Sequence, residues 1–214
     1  MKLSREELEA TREELKGSRI AQQEQSQSLK LQNEATKLQM FENTFFQLIN
    51  LFIQNRAEIT YGTKNSIKPL SKILRNLKIE EGKTTETIYD EFYEKFEAYT
   101  GTYFGQTYQV IKFIDNSNIG NKQRYINIFR AQFSKDELVF LFYHCLGTIG
   151  KRKLKKLVEG YEFFEHLILN EDIEKQLLVY DIKAFGKNEN ILRKYNELIE
   201  KAKIGEIPAF VKAE

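Results

Sequence analysis

Hydrophobic and polar positions divide this chain near residue 40. Before it, Leu8, Leu15, Ser18, Gln22, Gln25, Leu29, Gln32, Thr36, Gln39, Asn43 and Phe46 recur at helical spacings, a heptad rhythm whose core positions are mostly polar. An eleven-residue reading through Ser18, Leu29, Met40 and Leu51 fits as well. Ser4-Arg5-Glu6-Glu7 reads as a capping box, and no proline follows before Ile59, so one long helix is predicted. A parallel coiled coil is the preferred state of this segment, and a lone extended helix remains open.

From Phe41 the pattern becomes a wide apolar stripe of Phe41, Phe45, Leu48, Ile49, Phe52 and Ile53, which carries the same helix into a core. Tyr61 to Asn65 reads as its exit loop, followed by a short helix from Lys68 to Leu77 and a turn from Glu80 to Thr84. Ile88, Phe92, Phe96, Tyr99, Tyr103, Val110 and Ile114 share one face of a long helix from Thr85 to Asp115. Further helices are predicted over 122–132, over Leu138 to Leu146 behind a second capping box at Ser134–Glu137, and over 151–169, 173–185 and 190–203. Gly147 and Gly150 are expected to end the 138–146 helix, and Gly186 to cap the 173–185 helix. The fold class is all-α. Residues 1–40 form a polar stalk, 41–205 a globular helical domain and 206–214 a tail.

Composition sharpens this division. All 27 aromatic residues lie at or after Phe41, so only the later part can bury a sizeable core. Lys and Arg total 33 against 31 Asp and Glu, so no global field draws the chain to polyanions and any such binding is local. The single cysteine, Cys145, excludes an internal disulfide framework and a cysteine-based zinc cluster. The best apolar run, Leu138 to Ile149, is too short for a bilayer that needs about 20 residues. A soluble, cytoplasmic chain is expected.

Candidate chemistry is sparse. His144 and Cys145 are consecutive, and neighbours on a helix do not face each other. The carboxylates Asp90, Glu94 and Glu97 read as a solvated helix face, with Glu91 placed to pair with Lys95. No nucleotide-binding or metalloprotease motif is present, and no catalytic residue, metal site or cofactor is expected. One strong charge run stands out, Lys151-Arg152-Lys153-Leu154-Lys155-Lys156, a candidate phosphate-binding element. Gly101 and Gly105 lie inside a helix, where each costs about 1 kcal/mol relative to Ala. Close approach of a neighbouring helix is the simplest compensation, with a kink or a ligand groove as the alternative.

Gly101 to Tyr108 and Ile111 to Asp115 resemble a motif of the phage abortive infection (AbiC-like) family. Arg130 to Ser134 and Glu137 to Tyr143 are similar to its next block, and Phe45 to Asn50 to its opening one. Two positions depart from that pattern, with Gly105 where the family has arginine and His144 where it has asparagine. The resemblance implies a non-enzymatic sensor or effector module of a phage-defence protein, with a phage or host protein as trigger. It also implies a parent anchored in the inner membrane by segments outside this chain. The binding surface is expected around Tyr103, Tyr108, Asp115 and Arg130, together with Lys151, Arg152, Lys153, Lys155 and Lys156. If buried, Arg130 needs a carboxylate, and Asp115 or Glu137 is placed to supply it. The N-terminal helix is expected to form a homo-oligomer. Two alternatives stand beside this reading: a toxin that binds or cleaves nucleic acid through the 151–156 run, and an oligomeric scaffold.

Overall fold

Glutamine, glutamate, lysine, arginine and leucine lose little rotamer freedom in a helix, and the chain opens on a long run of such residues. A computed structural model describes residues 5–59, 69–78 and 82–206. Among these residues there is no strand. Ser4 of the first capping box, the loop at Tyr61–Asn65, Lys68, Glu80 and the tail from residue 207 lie outside the described residues. Helix α1 spans Arg5–Glu58. The chain divides into two compact units, one ending at Phe46 and one beginning at Gln47.

In the first unit, the described side chains up to Met40 are exposed. Leu8, Leu15 and Leu29 each leave about half their surface in water (51%, 56% and 52%). The hydroxyls of Thr11, Thr36 and Thr44 donate to carbonyls four residues earlier, so these polar groups are satisfied by their own helix. Phe41 and Phe45 stack at 6.0 Å.

The second unit is built on aromatic packing. Phe52, from the last turns of α1, lies between Tyr103, Phe129 and Phe133 at centroid distances of 5.4, 5.1 and 5.4 Å. Helix α2 (Pro69–Leu74) buries Leu70 and Ile73 and lies against α5 (Lys135–His144). Helix α3 (Thr85–Asp115) is the axis of the unit, touching α4 (Lys122–Arg130), α5, α6 (Thr148–Lys153) and α7 (Lys155–Gly160). The predicted capping box at the start of α5 is present, with Ser134 and Glu137 satisfying each other's backbone donors. The chain closes with α8 (Glu171–Glu174), 3-10 turns at Leu177–Val179 and Ile182–Phe185, and α9 (Glu189–Lys203).

Three helix expectations are corrected. The helix expected over 151–169 begins at Thr148, is interrupted at Leu154 and stops at Gly160. Phe163 and Phe164 are both fully buried, and the Phe164 N–H donates to the Ala184 carbonyl instead of continuing a helix. The reversal passes through Glu162 at φ +55°, whose carbonyl is held by Arg130. The helix expected over 173–185 is one turn of helix and two 3-10 turns, shaped by complete burial of Tyr180. Its hydroxyl donates to the Phe142 carbonyl at 2.5 Å. Finally, Gly147 and Gly150 do not end α5, which stops at His144. Gly147 is the N-cap of α6 and Gly150 lies within it.

Candidate functional site

Two elements position the charged surface. On α3, Tyr108 and Lys112 stand one turn apart, and the Lys112 Nζ lies 5.2 Å from the Tyr108 ring centroid. Lys153, at the end of α6, brings its Nζ to 5.9 Å from the same centroid. Two ammonium groups from elements 41 positions apart in sequence therefore meet at one half-buried ring.

The rest of the basic run separates by face. Lys151 pairs with Glu86 at 3.1 Å. Lys155 is buried, donates to the Val179 carbonyl at 2.7 Å, stands 3.8 Å from Glu159 and lies over the Tyr180 ring. Arg152, Lys153 and Lys156 are exposed. None of these three, nor Lys112, has a carboxylate within ion-pair distance among the described residues. Leu154 stays in the right-handed helical region and its N–H still reaches the Gly150 carbonyl, so Arg152 and Lys156 keep adjacent positions across the interruption.

The other predicted site residues have structural neighbours. Tyr103 is buried, and burial raises its hydroxyl pKa well above the ordinary tyrosine value. The Asp115 carboxylate accepts from the Tyr161 hydroxyl at 2.7 Å, while Lys122 holds the Asp115 carbonyl at 2.5 Å. Desolvation, then this hydrogen bond, pushes the Tyr161 pKa up to about 12. Arg130 is paired with neither expected partner. It donates to Glu165 at 2.5 Å and to the Glu162 carbonyl at 2.7 Å, clamping α4 to the reversal after α7. Glu137 is occupied by its capping box and by Arg56 at 3.6 Å.

The glycine pair is also corrected. A Cβ on Gly105 meets nothing within 4 Å, and one on Gly101 meets only side chains of its own helix. Among the described residues, no neighbouring helix approaches there. Close approach occurs instead at Gly147, whose Cβ would sit 2.5 Å from Tyr89, and at Gly150, whose Cβ would sit 1.9 Å from the His144 carbonyl oxygen. This approach sets His144 flat against Phe104 at 3.8 Å, with Nδ1 3.1 Å from the Tyr89 hydroxyl. Desolvation lowers the His144 pKa to about 3, so the ring is neutral near pH 7. Burial pushes the Cys145 thiol up, which keeps it protonated and unreactive.

Asp90 was expected on a solvated face. Its carboxylate instead accepts from the backbone N–H and hydroxyl of Thr148, at 2.9 and 2.5 Å, and so caps α6 from another helix. Glu91 pairs with Lys83 at 2.8 Å rather than with Lys95. His166 lines an open groove of about 590 Å³ with Glu165, Glu174, Asn188, Arg193 and Lys194, and no residue of the basic run borders it. Lys112 was absent from the predicted surface. Its spacing of four after Tyr108 was a readable signal, but its juxtaposition with Lys153 was not.

Residues 95–172, from the middle of α3 to the start of α8, match the sequence model of the family described as "putative phage abortive infection protein". Over that region the resemblance to this family holds. An 80-residue stretch is 30% identical to the FAS-associated death domain protein of Homo sapiens, covering 36% of this chain and 38% of that protein. The chain thus spans well under two thirds of that relative's length. No solved structure matches the chain. Among the described residues, no helix is long and apolar enough to cross a membrane.

Proposed function

Proceeding from the match to the phage abortive infection family, we propose that this chain is a non-enzymatic sensor or effector module of a bacterial anti-phage system. The family match supports a role in phage defence at a coarse level. The observation that carries the finer reading is the face formed by Tyr108, Lys112, Arg152, Lys153 and Lys156. It lies entirely within the matched region, and among the described residues its cations have no carboxylate within ion-pair distance. Two ammonium groups at 5.2 and 5.9 Å from one ring centroid concentrate positive charge that favours a negatively charged partner. A partner that changes during infection would be read at this face.

In this reading the N-terminal helix joins copies of the protein, and the parent carries a membrane anchor outside this chain. The exposed Leu8, Leu15 and Leu29 support self-association, since a second copy would remove them from water. The test has three parts. Cells carrying the whole protein are plated with phage, and fewer plaques are expected than on cells without it. Light scattering of the chain should give an oligomer that deletion of residues 1–40 reduces to monomer. Purified chain, incubated with total RNA and plasmid DNA with and without divalent metal, should leave both intact. Specific cleavage would replace this reading with that of a nuclease toxin.

A further inference from the structure

The Tyr108 face invites a statement of its ligand, which rests on the functional reading above. Four cations, Lys112, Arg152, Lys153 and Lys156, stand on α3, α6 and α7, and among the described residues none has a carboxylate within ion-pair distance. Asp115, three residues after Lys112, accepts from the Tyr161 hydroxyl, and Glu159 holds the Asp181 backbone N–H and Lys155. The Tyr108 ring is flanked by two of these ammonium groups, those of Lys112 and Lys153. We propose that this face binds single-stranded nucleic acid, with the four cations on backbone phosphates and the Tyr108 ring as a platform for one base.

Magnitudes favour the exchange. An exposed ammonium–ring contact is worth about 0.5–1 kcal/mol. A base stacked on an aromatic side chain is worth about 1–3 kcal/mol, and each ammonium moved from the ring gains a phosphate and releases a counterion. A duplex offers no unstacked base to the ring. A lipid surface fits less well, because Ile149 is the sole large apolar side chain of α6 and α7 that stands substantially exposed, and Tyr108 is half-buried. Arg152 and Lys156 stand four positions apart with Lys153 between them in sequence, and Lys153 joins this run to Lys112 through the Tyr108 ring.

The test is fluorescence anisotropy of the whole chain with labelled strands of about 20 nucleotides, of uridine or deoxythymidine, against a duplex and vesicles of phosphatidylcholine and phosphatidylserine. The expected result is binding of single strands in preference to duplex and vesicles. The two strand types distinguish ribose from deoxyribose as the source of the phosphate backbone. For four phosphate contacts, log K should fall with log salt at a slope of about −2.8 between about 50 and about 200 mM. Lys112→Ala with Lys153→Ala should weaken binding about tenfold and halve that slope, to about −1.4. Lys201→Ala, exposed on α9, should leave both unchanged. Tyr108→Leu should weaken binding without altering the slope.

Absence of strand binding at low salt, binding indifferent to the double substitution, or preferential binding of vesicles or duplex would each overturn the proposal. Phage plating separates this result from the functional reading. If Lys112→Glu with Lys153→Glu abolishes protection while neither parent nor variant binds strands, the face is functional and its ligand is not nucleic acid. If strands bind as expected and the variant still protects, the ligand is correct and the role of the face in defence is not.

Discussion

Helix α3 meets α5 and α6 near its N-terminal end and α6 again farther along, and the two meetings are opposite in character. At the N-terminal end of α3, Glu86 pairs with Lys151, Asp90 caps α6 through Thr148, and Tyr89 bonds His144. Gly147 and Gly150 let the backbone come close enough for those bonds to form. Toward the C-terminal end, Lys112 and Lys153 share the Tyr108 ring, with no carboxylate within ion-pair distance among the described residues. The same helices thus carry a matched set of partners at one end and unmatched like charges at the other. Matched groups hold the fold together, whereas unmatched ones are tolerated where water and salt screen them and a ligand can use them.

This contrast can be broken at four points, the largest first. Gly150→Ala puts a methyl where only 1.9 Å separates it from the His144 carbonyl oxygen, so the matched end must come apart. Destabilisation above about 4 kcal/mol is expected in urea unfolding followed by circular dichroism. Gly105→Ala, in open space on α3, should instead gain about 0.5–1 kcal/mol. A harmless Gly150→Ala would refute the close packing.

Next comes pH. Burial among Tyr89, Tyr93 and Phe104 holds the His144 pKa at about 3, well below its unfolded value near 6.5. Between those values the unfolded chain takes up the extra proton. The contribution of neutral His144 is therefore complete above about pH 6.5 and declines as pH falls, by about 1.4 kcal/mol per unit. About 2 kcal/mol should be lost by about pH 5. His144→Gln should flatten the pH dependence of the urea midpoint by one proton, and an unchanged slope would contradict the buried neutral ring.

Asp90→Ala removes the cap of α6 and leaves the Thr148 N–H without its acceptor, for an expected loss of about 1–2 kcal/mol. A double-mutant cycle with Thr148→Val should recover part of this as coupling energy. Smallest is Lys112→Ala with Lys153→Ala. Removing two unmatched surface charges should change stability by less than about 0.5 kcal/mol. A loss as large as that of Asp90→Ala would erase the distinction between the two ends.

The matched end was the less legible in the sequence. The bounds of α3 followed from its apolar period, and Ser134-Lys135-Asp136-Glu137 announced the cap of α5, because both signals are local. Asp90 looked like one of several solvated carboxylates because its partner is 58 positions away. The reversal at Glu162 depends on Arg130 reaching across from α4, and Arg130 paired with Glu165 rather than the two acids named from sequence. Helical period continues through Phe163 and Phe164, and this outweighed Gly160, the one residue type at the break that favours a helix end. Of the unmatched face, Tyr108 and the basic run were visible as residue types. That Glu86 would neutralise Lys151 was decided by tertiary packing, whereas Lys155 and Glu159 stand at the local spacing of four.

The most direct test of the unmatched face as the working surface is phage plating on cells expressing the whole protein with Lys112→Glu and Lys153→Glu, at protein levels equal to the parent. Protection should be lost while the melting temperature of the purified variant stays within about 2 °C of the parent. Full protection by a stably folded variant would contradict the account.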